Sequence, residues 1–301
     1  MIWSQWTGSI IDDPIRQGQE SLGERRLKRQ KRIALVNDIT GFGRCSVAVE
    51  LPLISAMKIQ ACPLPTAVLS VHTGFPHHFL DDYTDRMRPY IDSWEKNHLS
   101  FDGICTGFLG SVRQIEIVSD FIRRFKRPST RVMVDPVMGD YGRLYSSYTQ
   151  EMCDRMRVLL SFADLITPNL TEACQLLGIS YPEDGVVSDQ ELEYMAGALA
   201  DRGPSQVVIT GLSGGEDTIR NFVYEAGRGT VLQVKKVGGD RSGSGDAFAA
   251  IVAGSLINGE PLTQAVRKAA SFISKCLAFA VELDLPWNYG LPFEEYLREL
   301  N

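Results

Sequence analysis

Short uninterrupted apolar runs alternate with stretches of helical spacing along nearly the whole chain, and this alternation constrains the fold more than any other feature. The runs fall at 33–36, around 61–65, and at 68–71, 104–106, 132–134, 165–167 and 207–210. Between them, 46–57, 82–97, 112–125, 150–160 and 189–201 carry apolar residues at helical spacing, and a further helix opens at 168–172. A strand buried on both faces reads as a continuous apolar run, and parallel strands need crossover helices between them. Later segments at 222–224 and 231–234 read as an antiparallel pair, followed by two C-terminal helices. The pattern predicts an α/β fold: a doubly wound, mostly parallel central sheet with helices on both faces, in a single domain spanning 31–301. Residues 1–30 are polar and without period, so they are expected to be a flexible N-terminal extension, and the basic run at 25–32 is read as solvated.

In such a sheet, ligands lie beyond the carboxyl ends of the strands. The polar and glycine residues at those ends are Asn37 and Asp38, Thr73 and Gly74, Thr106 and Gly107, Asp135, Asn169 and Glu172, Thr210 and Gly211, and finally Gly243, Ser244, Gly245 and Asp246. The last group runs into an Ala-rich segment expected to be helical. Bare amides at a helix start, with no Cβ in the way, suit an anion. A carboxylate at that point would repel a phosphate unless it takes a proton from an attacking hydroxyl, which makes Asp246 a candidate base. The alternative is a first-turn acid that complements the helix dipole. Asp135 and Glu172 could hold a divalent cation through waters, or could accept amides at a strand end and cap a helix, respectively. Three acids and an anion-binding turn on one sheet edge favour phosphoryl transfer, in which positioning and charge neutralisation do most of the catalysis.

Other classes are disfavoured. Thirty-one basic against 37 acidic residues leave a net charge of −6, which gives nucleic-acid binding no overall electrostatic support. No apolar stretch approaches a membrane span. The six cysteines have no C-x-x-C spacing, which suits reduced thiols in a cytoplasmic protein. Gly41-Phe42-Gly43 lacks the third glycine of a dinucleotide fingerprint, because Ser46 stands there, and the P-loop pattern is absent. The loop of His72, His77 and His78 supplies no acidic partner, and the three are read as a substrate-loop or surface group.

Gly243-Ser244-Gly245-Asp246 resembles the signature of ribokinase-superfamily kinases, and Asn169-x-x-Glu172 resembles their metal and phosphate motif. Gly41-Phe42-Gly43-Arg44-Cys45-Ser46, His72-Thr73-Gly74, Thr106-Gly107-Phe108-Leu109-Gly110, Asp135-Pro136-Val137-Met138-Gly139 and Thr167-Pro168-Asn169 are together similar to the pyridoxal/pyridoxamine kinases, over about residues 31–290. The resemblance implies a ribokinase-like fold and phosphorylation of the 5′-hydroxyl of a B6 vitamer by ATP. It implies Asp246 as base, with Gly243, Ser244 and Gly245 around the transferring phosphate. Asn169, Glu172 and Asp135 would organise magnesium and nucleotide phosphates, Thr210 and Gly211 would touch ATP, and Asp38, Thr73 and Gly74 would face the pyridine. It further implies a mobile flap over 140–147, a homodimer, and room for a monovalent cation beside magnesium. Thr210 stands where several relatives carry lysine, and Asn37-Asp38-Ile39-Thr40 departs from many pyridoxal kinases. The related hydroxymethylpyrimidine kinases and a non-catalytic pyridoxal-phosphate-binding protein are the alternatives.

Overall fold

The computed structural model describes residues 29–301, and the expected extension lies, but for its last two residues, outside them. The described residues form eleven strands: β1 (Arg32–Thr40), β2 (Gln60–Leu69), β3 (Leu80–Asp82), β4 (Gly103–Thr106), β5 (Arg131–Val134), β6 (Gly139–Asp140), β7 (Arg143–Leu144), β8 (Leu165–Ile166), β9 (Gln206–Ser213), β10 (Thr218–Glu225) and β11 (Arg228–Lys235). Helices are α1 (Val47–Ala56), α2 (Thr84–Lys96), α3 (Val112–Phe125), α4 (Gln150–Leu160), α5 (Leu170–Leu177), α6 (Asp189–Ala200), α7 (Ser244–Ile257) and α8 (Leu262–Glu282).

Nine strands form one sheet in the order β11-β10-β9-β8-β5-β4-β1-β2-β3, while β6 and β7 make a separate hairpin. The six strands from β9 to β2 run parallel, and the flanking β3, β10 and β11 are antiparallel to their neighbours. Successive residues of β1 point to opposite faces, as strand geometry requires. Ala34 and Val36 join a core with α2 to α6, while Ile33 and Leu35 join one with α1, α7 and α8. The expected fold is therefore observed, with both faces of the sheet covered in one α/β domain.

Several boundaries differ from the sequence reading. β1 does not stop at Val36 but continues through Asn37 and Asp38 to Thr40, so these two polar residues lie within the strand. The two runs around 61–65 and 68–71 are a single strand, β2, that contains Pro63 and Pro65. Both prolines pair with β1 on one side, at Leu35 and Asn37, and β3 reaches only Ala67 to Leu69 on the other. Where the prolines sit, β2 is therefore an edge, and a missing amide is tolerated there. The expected helix from Asp82 begins at Thr84, because 80–82 is the short strand that closes this edge.

From β1 the chain moves one way to β2 and the other way to β4, so the order reverses between β1 and β4. That reversal opens a crevice at their carboxyl ends, the place to which Asn37, Gly107 and Asp246 are brought.

Candidate active site

Asn37 is the hub of the crevice. Its Oδ1 accepts the amides of Asp38 (3.0 Å) and Phe108 (2.9 Å), the latter just past β4. Two backbone donors on one atom identify it as the oxygen, so Nδ2 must face the other way. There it donates to Asp246 Oδ1 at 3.2 Å, and the Ser46 amide donates to Asp246 Oδ2 at 2.8 Å.

Ser46 is placed for this by an unusual backbone. Gly43, Arg44 and Ser46 all have positive φ (120°, 49° and 54°), a conformation that persists only when its surroundings enforce it. Those surroundings are specific. Gly243 packs so closely that a Cβ there would lie 1.9 Å from the Arg44 carbonyl oxygen, and at Gly290 a Cβ would lie 2.2 Å from that of Gly43. Arg44 reaches Glu294 at 2.8 Å and the Tyr289 carbonyl at 3.1 Å. Beneath the loop, the buried Asp38 carboxylate accepts the hydroxyls of Ser46 and Thr40, each at 2.6 Å. The structure thus turns Asp38 inward, against the loop that holds Ser46.

Gly243 caps α7 in the left-handed conformation (φ 77°), with no side-chain cap, and Gly245 is exposed with open space at its Cα. The Ser244 hydroxyl donates to the Arg241 carbonyl, while the Arg241 guanidinium donates to the carbonyls of Leu285 and Pro286 and so moors the turn to the segment after α8. Asp246 sits in the first turn of α7, where the dipole favours a negative charge. Burial of its carboxylate nevertheless raises its pKa to about 6, with the charge of Asp38 adding to the rise and the Ser46 amide and Asn37 opposing it.

Asp135 follows β5 and accepts the Thr167 hydroxyl at 3.2 Å; burial, then the nearby Asp246 charge, raise its pKa. Glu172 lies in the first turn of α5 and makes a capping box with Asn169: its Oε2 accepts the Asn169 amide (2.8 Å) and Asn169 Oδ1 accepts the Glu172 amide (3.0 Å). Glu172 Oε1 also accepts the Met138 amide (3.1 Å), and Asn169 Nδ2 donates to the Gly139 carbonyl (2.8 Å). The capping role foreseen as an alternative for Glu172 is therefore present, and it also anchors the root of the β6–β7 hairpin. Burial, followed by Asp135, pushes the Glu172 carboxyl well above its ordinary range. Among the described residues neither acid pairs with a cationic side chain, and no group of three His, Cys, Asp or Glu could hold a metal alone.

Thr210 and Gly211 form a bulge in β9 opposite Asn221, whose Oδ1 accepts the Gly211 amide at 3.3 Å. Thr210 bridges to Asn169, which puts both residues on the Glu172 side of the crevice. Thr73 and Gly74 lie in the exposed loop after β2, on the Gly41–Ser46 side. His72 Nδ1 accepts the Gly74 amide (3.1 Å), so its Nε2 donates to the Asn288 carbonyl (2.8 Å). Phe42, Phe75, Trp287 and Tyr289 pack with the His72 ring in an aromatic cluster that fastens this loop to the first one. His77 and His78 are exposed. The expected flap is the β6–β7 hairpin and its continuation, with the Tyr141 hydroxyl donating to Asp240 and the Gly142 amide to Thr171 Oγ1 at 2.8 Å.

The sequence reading placed Asn37 at the ligand edge without a role and left Ser46 out of the site; it also passed over Glu50, which lies beneath the site. Glu50 had a visible signal: it is the only charged residue in Val47–Ala56. All six cysteines are free, and burial pushes the Cys45 thiol up to about 12. Among the described residues no helix is long and apolar enough to cross a membrane.

The family model described as phosphomethylpyrimidine kinase matches residues 50–287. The chain belongs to the phosphomethylpyrimidine kinase family. Its similarity to the Haemophilus influenzae hydroxymethylpyrimidine/phosphomethylpyrimidine kinase is 31% identity over 62% of this chain and 69% of that protein. A Bacteroides thetaiotaomicron structure bearing a provisional phosphomethylpyrimidine kinase name shares 39% identity with a TM-score of 0.88, covering 91% of this chain and 94% of that one. A second crystal form of that protein, obtained with pyridoxal, gives 38% and 0.84 over 90% and 96% of the two chains. Pyridoxal kinase from Lactobacillus plantarum gives 28% and 0.83 over 90% and 97%. These similarities bear out the resemblance to pyridoxal kinases of the ribokinase superfamily, and the chain is a kinase of the combined pyridoxal and hydroxymethylpyrimidine kinase group.

Proposed function

We propose that the protein transfers the γ-phosphoryl group of ATP to the 5′-hydroxyl of pyridoxal, pyridoxamine or pyridoxine. The observation that carries this reading is Asp246: a carboxylate with its pKa near 6, held by Asn37 and Ser46 at the mouth of a glycine turn that opens a helix. In this reading Asp246 accepts the hydroxyl proton as the oxygen attacks the γ-phosphorus, and the bond to the β-phosphate bridging oxygen breaks to release ADP. Gly243, Ser244 and Gly245 surround the phosphoryl group, and the helix start offsets its charge. Thr210, Gly211 and Asn169 line the nucleotide side, and Thr73 and Gly74 the vitamer side, with Asp38 acting through the loop it supports.

Asp135 and Glu172 are the residues that would hold magnesium, through waters and together with substrate phosphates. Two acids raised by burial, with the charge of Asp246 adding to the rise of Asp135 and that of Asp135 to the rise of Glu172, fit that use, and the ion, when bound, neutralises phosphate charge. Glu172→Gln is expected to raise the magnesium and ATP concentrations at half-maximal rate while leaving the KM for pyridoxal nearly unchanged. Because the new amide turns a donor toward a backbone amide of Asn169 or Met138, the melting temperature should also fall, by the equivalent of about 1–3 kcal/mol. Magnesium titrations with an unchanged midpoint would leave Glu172 with capping alone.

Hydroxymethylpyrimidine phosphorylation is the second reading, favoured by the family model and the Haemophilus relative. The pyridoxal-bound crystal form of the Bacteroides protein and the His72-Thr73-Gly74 loop favour a B6 vitamer. ATP consumption measured side by side with pyridoxal, pyridoxamine, pyridoxine and hydroxymethylpyrimidine decides between them. A kcat/KM for the pyrimidine above that for every vitamer would overturn the first reading; binding of pyridoxal phosphate without turnover of any substrate would make the protein a carrier. The reading also carries with it a cytoplasmic homodimer, whose mass is measurable by light scattering.

A further inference from the structure

Glu50 is a carboxyl group that the reaction as described above does not use. It is 2% exposed, inside the apolar core that α1 shares with α7 and α8, and its Oε2 has no hydrogen-bond partner. Three acids bear on it: Asp246 from α7, Asp135 from the end of β5 and Asp38 from β1, while the Cys105 thiol faces it from β4. The polar group that favours its charge is the side chain of Asn37. An ionised carboxylate in this setting would pay for desolvation and for repulsion by every acid around it, so the neutral acid is the stable form.

Asn37 explains why an acid is kept there. Its Oδ1 is fixed by the amides of Asp38 and Phe108, so the two Nδ2 hydrogens have fixed directions. One goes to Asp246 Oδ1; the other is available to Glu50. We propose that Glu50 is a positioning residue: as a neutral acid it accepts the second N–H of Asn37 and thereby locks the amide that holds the Asp246 carboxylate toward the substrate hydroxyl. This deepens the kinase reading and rests on it. Glu50 takes no proton and touches no substrate; it sets the angle of the residue that does.

The test compares Glu50→Gln, which keeps a neutral acceptor, with Glu50→Leu, which removes it. Glu50→Gln should hold kcat within about twofold of wild type. Glu50→Leu should lower kcat about tenfold or more, a modest part of the loss that misplacing a catalytic group can cause, with the KM values for ATP and vitamer within about threefold. Because Leu also removes an unpaired buried polar atom, its melting temperature should not fall in proportion. Adding Glu50→Leu to Asp246→Asn should cost no further activity. A readout that needs no turnover is the titration of the Asp246 carboxyl carbon by NMR: unchanged in Glu50→Gln and shifted upward in Glu50→Leu, where Asn37 no longer holds the carboxylate. Wild-type kcat in a folded Glu50→Leu protein, or an unmoved titration, would overturn the assignment. So would a collapse of Glu50→Gln to the level of Asp246→Asn, because that would show Glu50 acting as a charged group. Should Glu50→Leu not fold, Glu50→Val, which also lacks an acceptor, takes its place with the same expected loss of kcat and the same shift in titration. Absence of turnover in the wild type with every substrate would instead defeat the kinase reading, and the NMR titration would test Glu50 regardless.

Discussion

Asp246→Asn should lower kcat by about 10²- to 10⁴-fold, the usual cost of losing a general base, while ATP and vitamer affinities change far less. The shape of the turn is kept, since the amide can still accept from Asn37 or Ser46, and any tightening of nucleotide binding should come only from the loss of a negative charge beside the phosphates. Stability separates this from a dipole-capping role. Capping would make Asn less stable than Asp by about 0.3–1 kcal/mol. The pKa of Asp246 is instead raised on folding, from 3.8 to about 6, so the folded state favours its protonated form. The resulting contribution to stability is greatest below pH 4 and is lost as the pH rises through 6. At pH 7.5 Asp246→Asn should therefore melt no lower than wild type, and the difference should shrink toward pH 4. The same shift places the acid limb of the wild-type rate near pH 6, because only the deprotonated carboxylate can accept the hydroxyl proton. Single-turnover phosphorylation and melting curves on one preparation would measure both, and near-normal turnover in Asp246→Asn would remove Asp246 from the chemistry.

The second large effect is expected from Gly243→Ala. An added methyl would meet the Arg44 carbonyl at 1.9 Å, backbone against backbone, at a residue with φ 77°. The conformation alone costs about 1–2 kcal/mol for a residue with a side chain, and the contact forces either the turn or the Gly43–Ser46 loop to move. Either movement separates the Ser46 amide from Asp246. Gly243→Ala should thus lose about 100-fold or more in kcat/KM, the scale of a displacement of about 1 Å in a catalytic group, and melt several degrees lower. Gly239→Ala is the control: it lies in the same approach to α7 but has nothing within 4 Å of an added methyl, and it should fold and melt like wild type. A Gly243→Ala enzyme with unchanged kinetics would show that the loop and the turn are not mechanically joined.

The helices that periodicity and local signals both supported were legible to the residue. α3 and α4 begin after Ser111 and Thr149, whose hydroxyls accept the amides of Gln114 and Met152, so the expected and observed limits coincide. β2 was not legible as one strand, because Pro63 and Pro65 break the pattern and only the sheet reveals the open edge that tolerates them. The glycine turn and its acid could be recognised because their spacing is local. The partners of Asp246 could not: Asn37 and Ser46 lie 209 and 200 residues away in sequence, and only the order of strands joins them. Glu50 was visible as an isolated acid among apolar residues, yet helical spacing alone does not say that its neighbours in space are three other acids. For Glu172, the two readings weighed against each other turned out to be compatible, since one carboxylate can cap α5 and still belong to an acidic pair with Asp135.

Asp246 and Glu172 are carried from opposite sides of the sheet. Asp246 rides on α7, which packs with α1 and α8, whereas Glu172 rides on α5, which packs between α4 and α6 in the core on the other face. Neither helix can therefore set the distance between the two groups; the sheet between them works as a ruler. Loosening one helix layer by a core substitution should shift one partner while the strands keep their register, so damage to either layer would appear first as a mismatch between proton acceptance and phosphate neutralisation, before any loss of the fold.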